Sequence, residues 1–520
     1  MLERELKFHV PADKRAALEK ALRKLNAAVL PLHARYFDTE KHELAQARIA
    51  LRLRKEGSQW VQTIKTPGPD ELSRVEINTP RPDATLDLSV YQGSAIERAL
   101  KKLECPLELR YETEVDRLVL KKKGRGGAIE FAYDQGVIKA GQLELPICEL
   151  ELELVSGGTD HLFAVARQWL ARHGLILDLR SKAERGDALA RDAVGARTGS
   201  LAPAARQAGD TPEPAQLRLP RRAGPIVLDP AHAAHEAYRL CANDCMNQII
   251  RNATYLAGAD SAGATAELRV EYVHQLRVGI RRIRSCWKFF GKWVEIDEAE
   301  LGTELRRYFS LLGQARDRDV IALVVAPRLM RAGMPELALP GPDDHSTDAT
   351  QALAASAGFQ ATLLTLLNHL VAVNETAQPR AGAAPPAAGK LGKALSKRLN
   401  KRLEDICRQG AQFGQLAIDA QHSLRKRVKG LRYSMEFAAS MLSGKSYARL
   451  RDALADTQHT LGDLNDLYIA QDYYQGLAAS QPQAWFAVGW LSAMQERKKA
   501  EAQAEFLRLA QAGRFKGKKA

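Results

Sequence analysis

The run Glu149-Leu150-Glu151-Leu152-Glu153-Leu154, preceded by Cys148, constrains the fold more than any other stretch of this chain. Strict alternation is the period of a β-strand, so the three acids share one face and the apolar residues the other. The apolar row must pack on something. The acid row sets like charges side by side, which costs roughly 0.2–1 kcal/mol per close pair. A solvated edge strand tolerates that once, but the pattern recurs. Arg52 and Arg54 share a face of the stretch Arg48–Arg54, and Lys65 ends Val61–Lys65. Arg74 and Glu76 share a face of Arg74–Ile77, and Arg117 follows the alternating Thr113-Glu114-Val115. Glu130 lies within the aromatic strand Ile129–Tyr133 and Asp134 follows it, and Glu3, Glu5 and Lys7 share a face at the start of the chain. A closed barrel with a charged interior accounts for all of these strands at once, because inward and outward positions alternate along each one.

The barrel region runs to about residue 195, with helical patterns near Asp13–Leu25 and Asp160–His173. Then Pro203, Pro212, Pro214, Pro220 and Pro225 appear among Ala, Gly and Arg, which is a linker composition. From about residue 230 helical periodicity dominates, and a second Pro/Ala/Gly stretch, Gln378–Lys390, divides it. The whole reads as α+β: an N-terminal antiparallel barrel with flanking helices, followed by an all-α domain. The expected division is residues 1–196, a linker at 197–227, and 228–515.

Glu3-x-Glu5-x-Lys7 sets two carboxylates and an ammonium group on one strand face. Carboxylates hold a hard cation and the lysine meets a phosphate oxygen. A strand of alternating exposed charges explains the triplet equally well by itself. The ordered set of later landmarks adds weight: Tyr36-Phe37-Asp38-Thr39, Leu51-Arg52-Leu53-Arg54, Thr63-Ile64-Lys65, Arg74-Val75-Glu76, Asp134-Gln135-Gly136, Glu149-Leu150-Glu151 and Ser181-Lys182-Ala183-Glu184-Arg185-Gly186. Over roughly residues 1–190 the chain resembles the CYTH superfamily, the triphosphate tunnel metalloenzymes. The resemblance implies an eight-stranded antiparallel tunnel that binds a triphosphate with Mg²⁺ or Mn²⁺. It implies that Glu3, Glu5, Glu149 and Glu151 bind metal, with Asp134 close by and Glu76 a further candidate. It implies that Lys7, Arg52, Arg54, Lys65, Arg117, Lys182 and Arg185 cradle the phosphates. Two departures stand out. Lys121–Gly127 leaves the alignment around Arg117 open by a residue or two, and Asp187 occupies a place where relatives often carry an aromatic.

The helical half contains a repeat. His274, Arg277, Arg281 and Arg284 match His422, Arg425, Lys429 and Arg432 at an offset of 148 residues. Leu312-Gly313 through Asp317 matches Leu461-Gly462 through Asp466 at an offset of 149. On a helix, at about 100° per residue, the histidine and basic residues of each copy fall within about 80° of one another. Leu276, Ile280 and Ile283, like Leu424, Val428 and Leu431, form an adjacent apolar stripe. A solvated basic face would explain one such helix. Repetition in register argues for an anion, because like charges stacked three and four apart repel. No second His or Cys stands at ligand spacing, so these histidines do not read as metal ligands. Over roughly residues 228–515 the pattern resembles the CHAD domain, a conserved-histidine helical domain. That resemblance implies two pseudo-symmetric helical bundles and a basic groove for inorganic polyphosphate. The candidates are His274, Arg277, Arg281, Arg282 and Arg284 from the first copy, and His422, Arg425, Lys426, Lys429 and Arg432 from the second.

Composition narrows the partners. A formal charge of +14 and a pI near 9.4 favour polyanions without choosing among them. No stretch is long and apolar enough for a membrane span, and the charged N-terminus lacks a signal-peptide core. Six cysteines in 520 residues are too few for a disulfide scaffold, and Cys241 and Cys245 read as one helix face. A cytoplasmic protein follows, with polyphosphate granules as a place of association. The leading activity is hydrolysis of inorganic triphosphate to pyrophosphate and phosphate. Adenylate cyclase and thiamine triphosphatase belong to the same superfamily, but each needs a base or thiazolium pocket that no residue here announces. A non-enzymatic polyphosphate scaffold conflicts with the intact acidic motifs. A specific nucleic-acid binder lacks the aromatic-interleaved basic run it would need.

Overall fold

The computed structural model describes residues 2–68, 70–198, 219–296, 298–337, 345–376, 385–387 and 389–518. Most of the expected linker at 197–227, and much of Gln378–Lys390, lie outside these residues. Nine strands form one sheet: β1 (Leu2–His9), β2 (Ala28–Thr39), β3 (Ala50–Glu56), β4 (Gln59–Pro67), β5 (Ser73–Arg81), β6 (Leu107–Gly124), β7 (Gly127–Ala140), β8 (Leu143–Gly157) and β9 (Ile176–Leu177). The order is β5-β4-β3-β2-β6-β7-β8-β1, and β1 also pairs with β5, so these eight strands close into an antiparallel barrel. One edge of β1 is shared. Leu2–Arg4 bond β5, whereas Phe8 and His9 bond the short β9.

Five helices accompany the barrel: α1 (Arg15–Lys24), α2 (Glu43–Gln46), α3 (Glu97–Leu100), α4 (Thr159–His173) and α5 (Lys182–Thr198). Helix α4 starts after extended Gly158 and stops at Gly174, whose φ of 60° suits the left-handed position that ends many helices. It packs on the outer face of β8, and Trp169 lies 4.8 Å from Phe131 of β7. Leu6, Phe8, Leu150 and Leu152 on the outer faces of β1 and β8 are all at most 1% exposed, so the apolar row is core. Burial of each such side chain is worth about 1.5–3 kcal/mol.

Two local readings of the sequence are corrected. The strand expected from Arg48 begins at Ala50, because Arg48 adopts a left-handed φ of 57° in the turn that follows α2. The segment after Ser181 is helix α5, whose lack of clear amphipathic spacing hid it. Its start is nonetheless written in Ser181-x-x-Glu184, where the Ser181 hydroxyl accepts from the Glu184 amide at 3.1 Å, the usual N-terminal cap.

The second half is all helical: α6 (Ala234–Leu256), α7 (Ala266–Phe290), α8 (Ala299–Val320), α9 (Ala326–Arg331), α10 (His345–Ala355), α11 (Ala357–Thr376), α12 (Leu391–Gly410), α13 (Ile418–Phe437), α14 (Gly444–Leu477) and α15 (Ala484–Gln511). The apolar stripe of the repeat is core in both copies. Leu276, Ile280 and Ile283 on α7, and Leu424, Val428 and Leu431 on α13, are at most 1% exposed. Helix α13 packs on α12 and α14, and α15 packs on α12 and α14. Cys241 and Cys245 lie one turn apart on α6, both fully buried.

The chain forms two compact units. The first is Met1–Arg221 with Ile250–Tyr272 and Gln351–Asn374; the second is Arg222–Ile249, Val273–Thr350 and Glu375–Ala520. Helical segments therefore belong to the barrel's unit. The reason is visible at β9. Its Leu177 amide donates to Gln360 Oε1 of α11 at 2.9 Å, and its carbonyl accepts from Thr254 Oγ1 of α6 at 2.7 Å. A buried strand edge needs partners for its backbone groups, and two side chains supply them.

Candidate active site

The barrel register sets the inner face in rows. Glu5 stands opposite Glu153, and Glu153 opposite Glu130, so three acids cross β1, β8 and β7. In the next row Lys7 stands opposite Glu151. In the row after that, His9, Glu149, Asp134 and Arg117 are successive cross-strand partners. On the other side of the barrel Glu3 faces Arg74, Lys65 faces Glu76, and Arg52 lies between Tyr36 and Thr63. Of the barrel residues singled out in the sequence, Lys7, Arg117, Asp134, Glu149, Glu151 and Lys182 form one linked group of ion pairs, and Glu3, Arg52, Lys65 and Glu76 form a second.

Arg117 binds Asp134 with two nitrogens at 2.7 Å each and reaches Glu151 at 3.0 Å. Lys182, from the first turn of α5, touches Glu149, Asp134 at 2.7 Å and Glu151 at 3.1 Å. Lys7 adds Glu151 at 3.3 Å and Glu149 at 3.8 Å. Lys65 lies 2.8 Å from both Glu3 and Glu76, and Arg52 lies 3.6 Å from Glu76. Arg54 pairs with Glu56 at the barrel rim. Burial would raise the carboxyls of Asp134 and Glu151, yet Lys182 and the neighbouring cations hold both low.

Elsewhere the acids outnumber their partners. Burial, a hydrogen bond with Glu76 and the nearby Glu5 push Glu3 up to about 8. Burial and Glu130 also push Glu153 up. Asp134, Glu149 and Glu151 offer carboxylate oxygens that all lie within 4.8 Å of one another. Hard oxygen donors crowded this closely fit a divalent cation such as Mg²⁺ or Mn²⁺.

A second group, Asp38, His42 and Asp187, also brings donor atoms within 4.8 Å. Its atoms are committed elsewhere. Asp38 accepts from the amides of Thr39, Leu44 and Ala45, and Asp187 bonds His42 Nδ1 at 2.7 Å and pairs with Arg191 at 2.8 Å. It pins the loop after β2 to α5. The unusual Asp187 thus has a structural partner.

The floor of the barrel is apolar. Leu32, Ala34 and Tyr36 of β2, Tyr111 and Val115 of β6, and Ile147 of β8 pack with Leu189, Ala190 and Ala193 of α5. Helix α5 therefore fills this end, with Lys182 and Arg185 on its charged side. Gly186 permits the approach, since a Cβ there would lie 2.2 Å from the Tyr111 ring. Tyr36 stacks on Tyr111 at 4.7 Å and accepts from Arg52 at 3.4 Å. Sequence reasoning marks Tyr36 only as a landmark, and Glu130 and Glu153 only as charged positions.

Arg185 sits apart from the other basic residues. It donates to the Pro146 carbonyl at 2.7 Å and forks onto Asp260 at 2.9 and 3.1 Å, with Glu149 at 3.5 Å.

The helical stripes have a mixed setting. Arg282 is 1% exposed, bonded to Asp244 at 2.8 Å and Gln248 at 2.7 Å, so it ties α7 to α6 inside the bundle. Arg277 is buried, and both Arg277 and Arg281 lie over the Phe309 ring at 4.6 and 4.9 Å. His274, Arg281 and Arg284 are half-buried, as are His422, Arg425, Lys429 and Arg432, while Lys426 is exposed. Arg432 lies 3.5 Å from Glu436. Burial, Arg425 and Lys426 lower His422 below the usual histidine value. The side chains of Arg316 and Asp317 lie outside the described residues.

Family models match the two halves separately, CYTH at residues 1–186 and CHAD at residues 248–475. The inorganic triphosphatase of Haemophilus influenzae is 32% identical over 157 residues, which is 29% of this chain and 44% of that protein. The chain thus spans less than half of that relative's length. An uncharacterized protein of Mycobacterium tuberculosis is 26% identical over 469 residues, 86% of this chain and 83% of its own length. Among solved structures, the CHAD domain of the plant Ricinus communis aligns over 58% of this chain and 99% of its own length, at 26% identity and a TM-score of 0.46. The ordered acidic and basic rows of the closed barrel and the repeated stripes of the helices thus have one family reading: this chain joins a CYTH domain to a CHAD domain.

Proposed function

We propose that the barrel hydrolyses inorganic triphosphate to pyrophosphate and phosphate with Mg²⁺ or Mn²⁺, and that the helical half binds inorganic polyphosphate. The observation that carries the first part is the inner face itself. An acidic wall on β1, β7 and β8 faces cations from β3, β4, β6 and α5 within one enclosed barrel. A compact linear polyanion together with a divalent cation satisfies both walls. Glu3, Glu5, Asp134, Glu149 and Glu151 would hold the cation, with Glu76 beside Lys65. When bound, the cation screens the phosphate oxygens and makes a water more acidic. Arg52, Arg54, Lys65, Lys7, Arg117 and Lys182 exchange their carboxylate partners for phosphate oxygens and hold the chain for in-line attack. Fixed charges of this kind stabilise the oxygens where negative charge grows. Arg185 belongs to this wall by family resemblance, though its present partners are Asp260 and Pro146.

The similarity to an inorganic triphosphatase supports the substrate class. The polyphosphate reading rests on the CHAD match and on basic residues at matching helical positions, since backbone phosphates suit spaced cations. The proposed limits are 1–196 and 228–515 with the linker between. No helix among the described residues is long and apolar enough to cross a membrane, and we place the protein in the cytoplasm, with polyphosphate granules as a site of association. The test is a substrate panel on the full chain: tripolyphosphate, ATP, thiamine triphosphate and long-chain polyphosphate, each with Mg²⁺ and with Mn²⁺. Tripolyphosphate turns over fastest. Faster formation of cyclic AMP from ATP would replace this reading with a cyclase.

A further inference from the structure

We propose that Asp260, contributed by the helical half of the sequence, is a positioning residue for the acidic site of the barrel, acting through Arg185 on Glu149. The inference rests on the reading of Glu149 as a cation ligand. Asp260 follows α6 in a tight turn in which the Ala259 amide bonds the Thr254 carbonyl at 3.2 Å. Its backbone is left-handed, with φ of 55°, which is uncommon outside glycine and persists where the surroundings fix it. The surroundings do so here. Its side chain is 7% exposed and lies between two arginines, Arg185 at 2.9 and 3.1 Å and Arg180 at 2.9 Å. Burial would raise its carboxyl, and those two guanidinium groups hold it low instead.

Each arginine leads on to the site. Arg185 uses Nε and Nη2 on Asp260 and on the Pro146 carbonyl, which leaves Nη1 aimed at Glu149 Oε2, 3.5 Å away. The other Glu149 oxygen faces Lys182. Arg180 is locked by Asp178 at 2.7 Å, and its carbonyl accepts from Lys7 Nζ at 3.4 Å. The turn itself is anchored beside the barrel. Thr254 and Gln360 occupy the backbone of Leu177, and Arg251 pairs with Glu184 at 3.0 Å. A planar guanidinium held on two sides has one orientation left, so the third side is fixed as well. Groups that hold a metal ligand from behind set its orientation and basicity. The barrel's acidic site is therefore completed by a residue 75 positions beyond Arg185.

The test is a titration of the full-length, metal-free protein with Mn²⁺ and no phosphate, with free Mn²⁺ read by electron paramagnetic resonance. Asp260→Asn weakens Mn²⁺ binding by about 10- to 100-fold. Arg185→Gln weakens it as well, and the double variant loses no more than the worse single, because one link is broken in all three. Simple charge predicts something else: losing an acid weakens a cation site, and losing an arginine strengthens it. Tighter Mn²⁺ binding by Arg185→Gln, or Asp260→Asn within about twofold of the parent, overturns the proposal. Where Asp260→Asn fails to fold, Arg185→Gln and the double variant, which strands no arginine at position 185, carry the same sign test. Glu149→Gln runs alongside. Unchanged Mn²⁺ binding there removes the reading of Glu149 as a ligand, whereas a loss there with Asp260→Asn unaffected removes the Asp260 link alone.

Discussion

Replacing Glu3 by Gln makes the metal-free protein more stable, and increasingly so as the pH rises. Glu3 and Glu76 share Lys65, whose Nζ lies 2.8 Å from each. Burial and the hydrogen bond with Glu76 push Glu3 up to about 8 from its ordinary 4.5. Burial acts on Glu76 in the same direction, but the bond with Glu3 and the charge of Lys65 hold it down at about 2. The pair thus keeps one proton across the neutral range. The folded state binds that proton more tightly than the unfolded chain does. The contribution of Glu3 is therefore fully present below its unfolded value of 4.5 and is lost as pH rises through about 8. At about 1.4 kcal/mol per pH unit, the parent loses about 3 kcal/mol through this group between about pH 5.5 and about pH 8.5. Glutamine is neutral throughout and loses nothing. The opposing term from Glu76 operates only as pH falls toward 2, outside that range. Urea unfolding of parent and Glu3→Gln in chelator, at both pH values, isolates the difference because other groups cancel. The stability gap should widen by about 3 kcal/mol, and saturating Mn²⁺ should abolish or reverse it, since the cation takes the place of the proton. Parallel pH curves for the two proteins would refute the argument that Glu3 and Glu76 lack sufficient positive charge.

Glu5→Gln and Glu151→Gln should each abolish tripolyphosphate hydrolysis while the protein stays folded, and near-normal turnover of both at saturating Mg²⁺ would remove their assignment. Lys182→Met removes a cation shared by Asp134, Glu149 and Glu151 and leaves them to Arg117 and Lys7, so the metal-free protein should lose about 1–3 kcal/mol in chemical denaturation, and Mn²⁺ should restore part of it. In the helical half, Arg277→Ala with Arg281→Ala should weaken polyphosphate binding, and adding Arg425→Ala with Lys429→Ala should weaken it further. Arg282→Met should instead lower stability by about 1–3 kcal/mol, because it removes the bonds of a buried guanidinium to Asp244 and Gln248, while Asp244 keeps the Gly224 amide; a titration against duplex DNA of similar charge separates a specific groove from a basic surface. Burial, Arg425 and Lys426 lower His422, so any gain in polyphosphate affinity from its protonation should appear on acidification below about pH 6.5, and a gain confined to higher pH would exclude that contact.

Much of this protein is legible in one dimension. Period-two alternation in Glu149–Leu154 sets the acids on one face and the leucines on the other whatever the neighbours are, because a strand turns successive side chains to opposite faces. The repeat at an offset of 148 residues likewise identifies the buried stripes of α7 and α13 from spacing alone. Register, by contrast, is a matter of which strands meet. Only the closed barrel sets Glu5 opposite Glu153 and Glu153 opposite Glu130, so only it reveals where acids crowd one another. The helix that fills the barrel floor left little periodic signal, because α5 buries Leu189, Ala190 and Ala193 inside a ring of strands and not against one flat layer. Arg282 shows the other limit: spacing put it in the basic row, but Asp244 on the preceding helix draws it into the core, and a partner across helices has no mark in local sequence. Asp260 is the extreme case. A single acid in a turn far from the barrel carries no pattern, and only the packing of α6 beside β9 brings it to Arg185, because long-range ion pairs depend on where the chain returns in space.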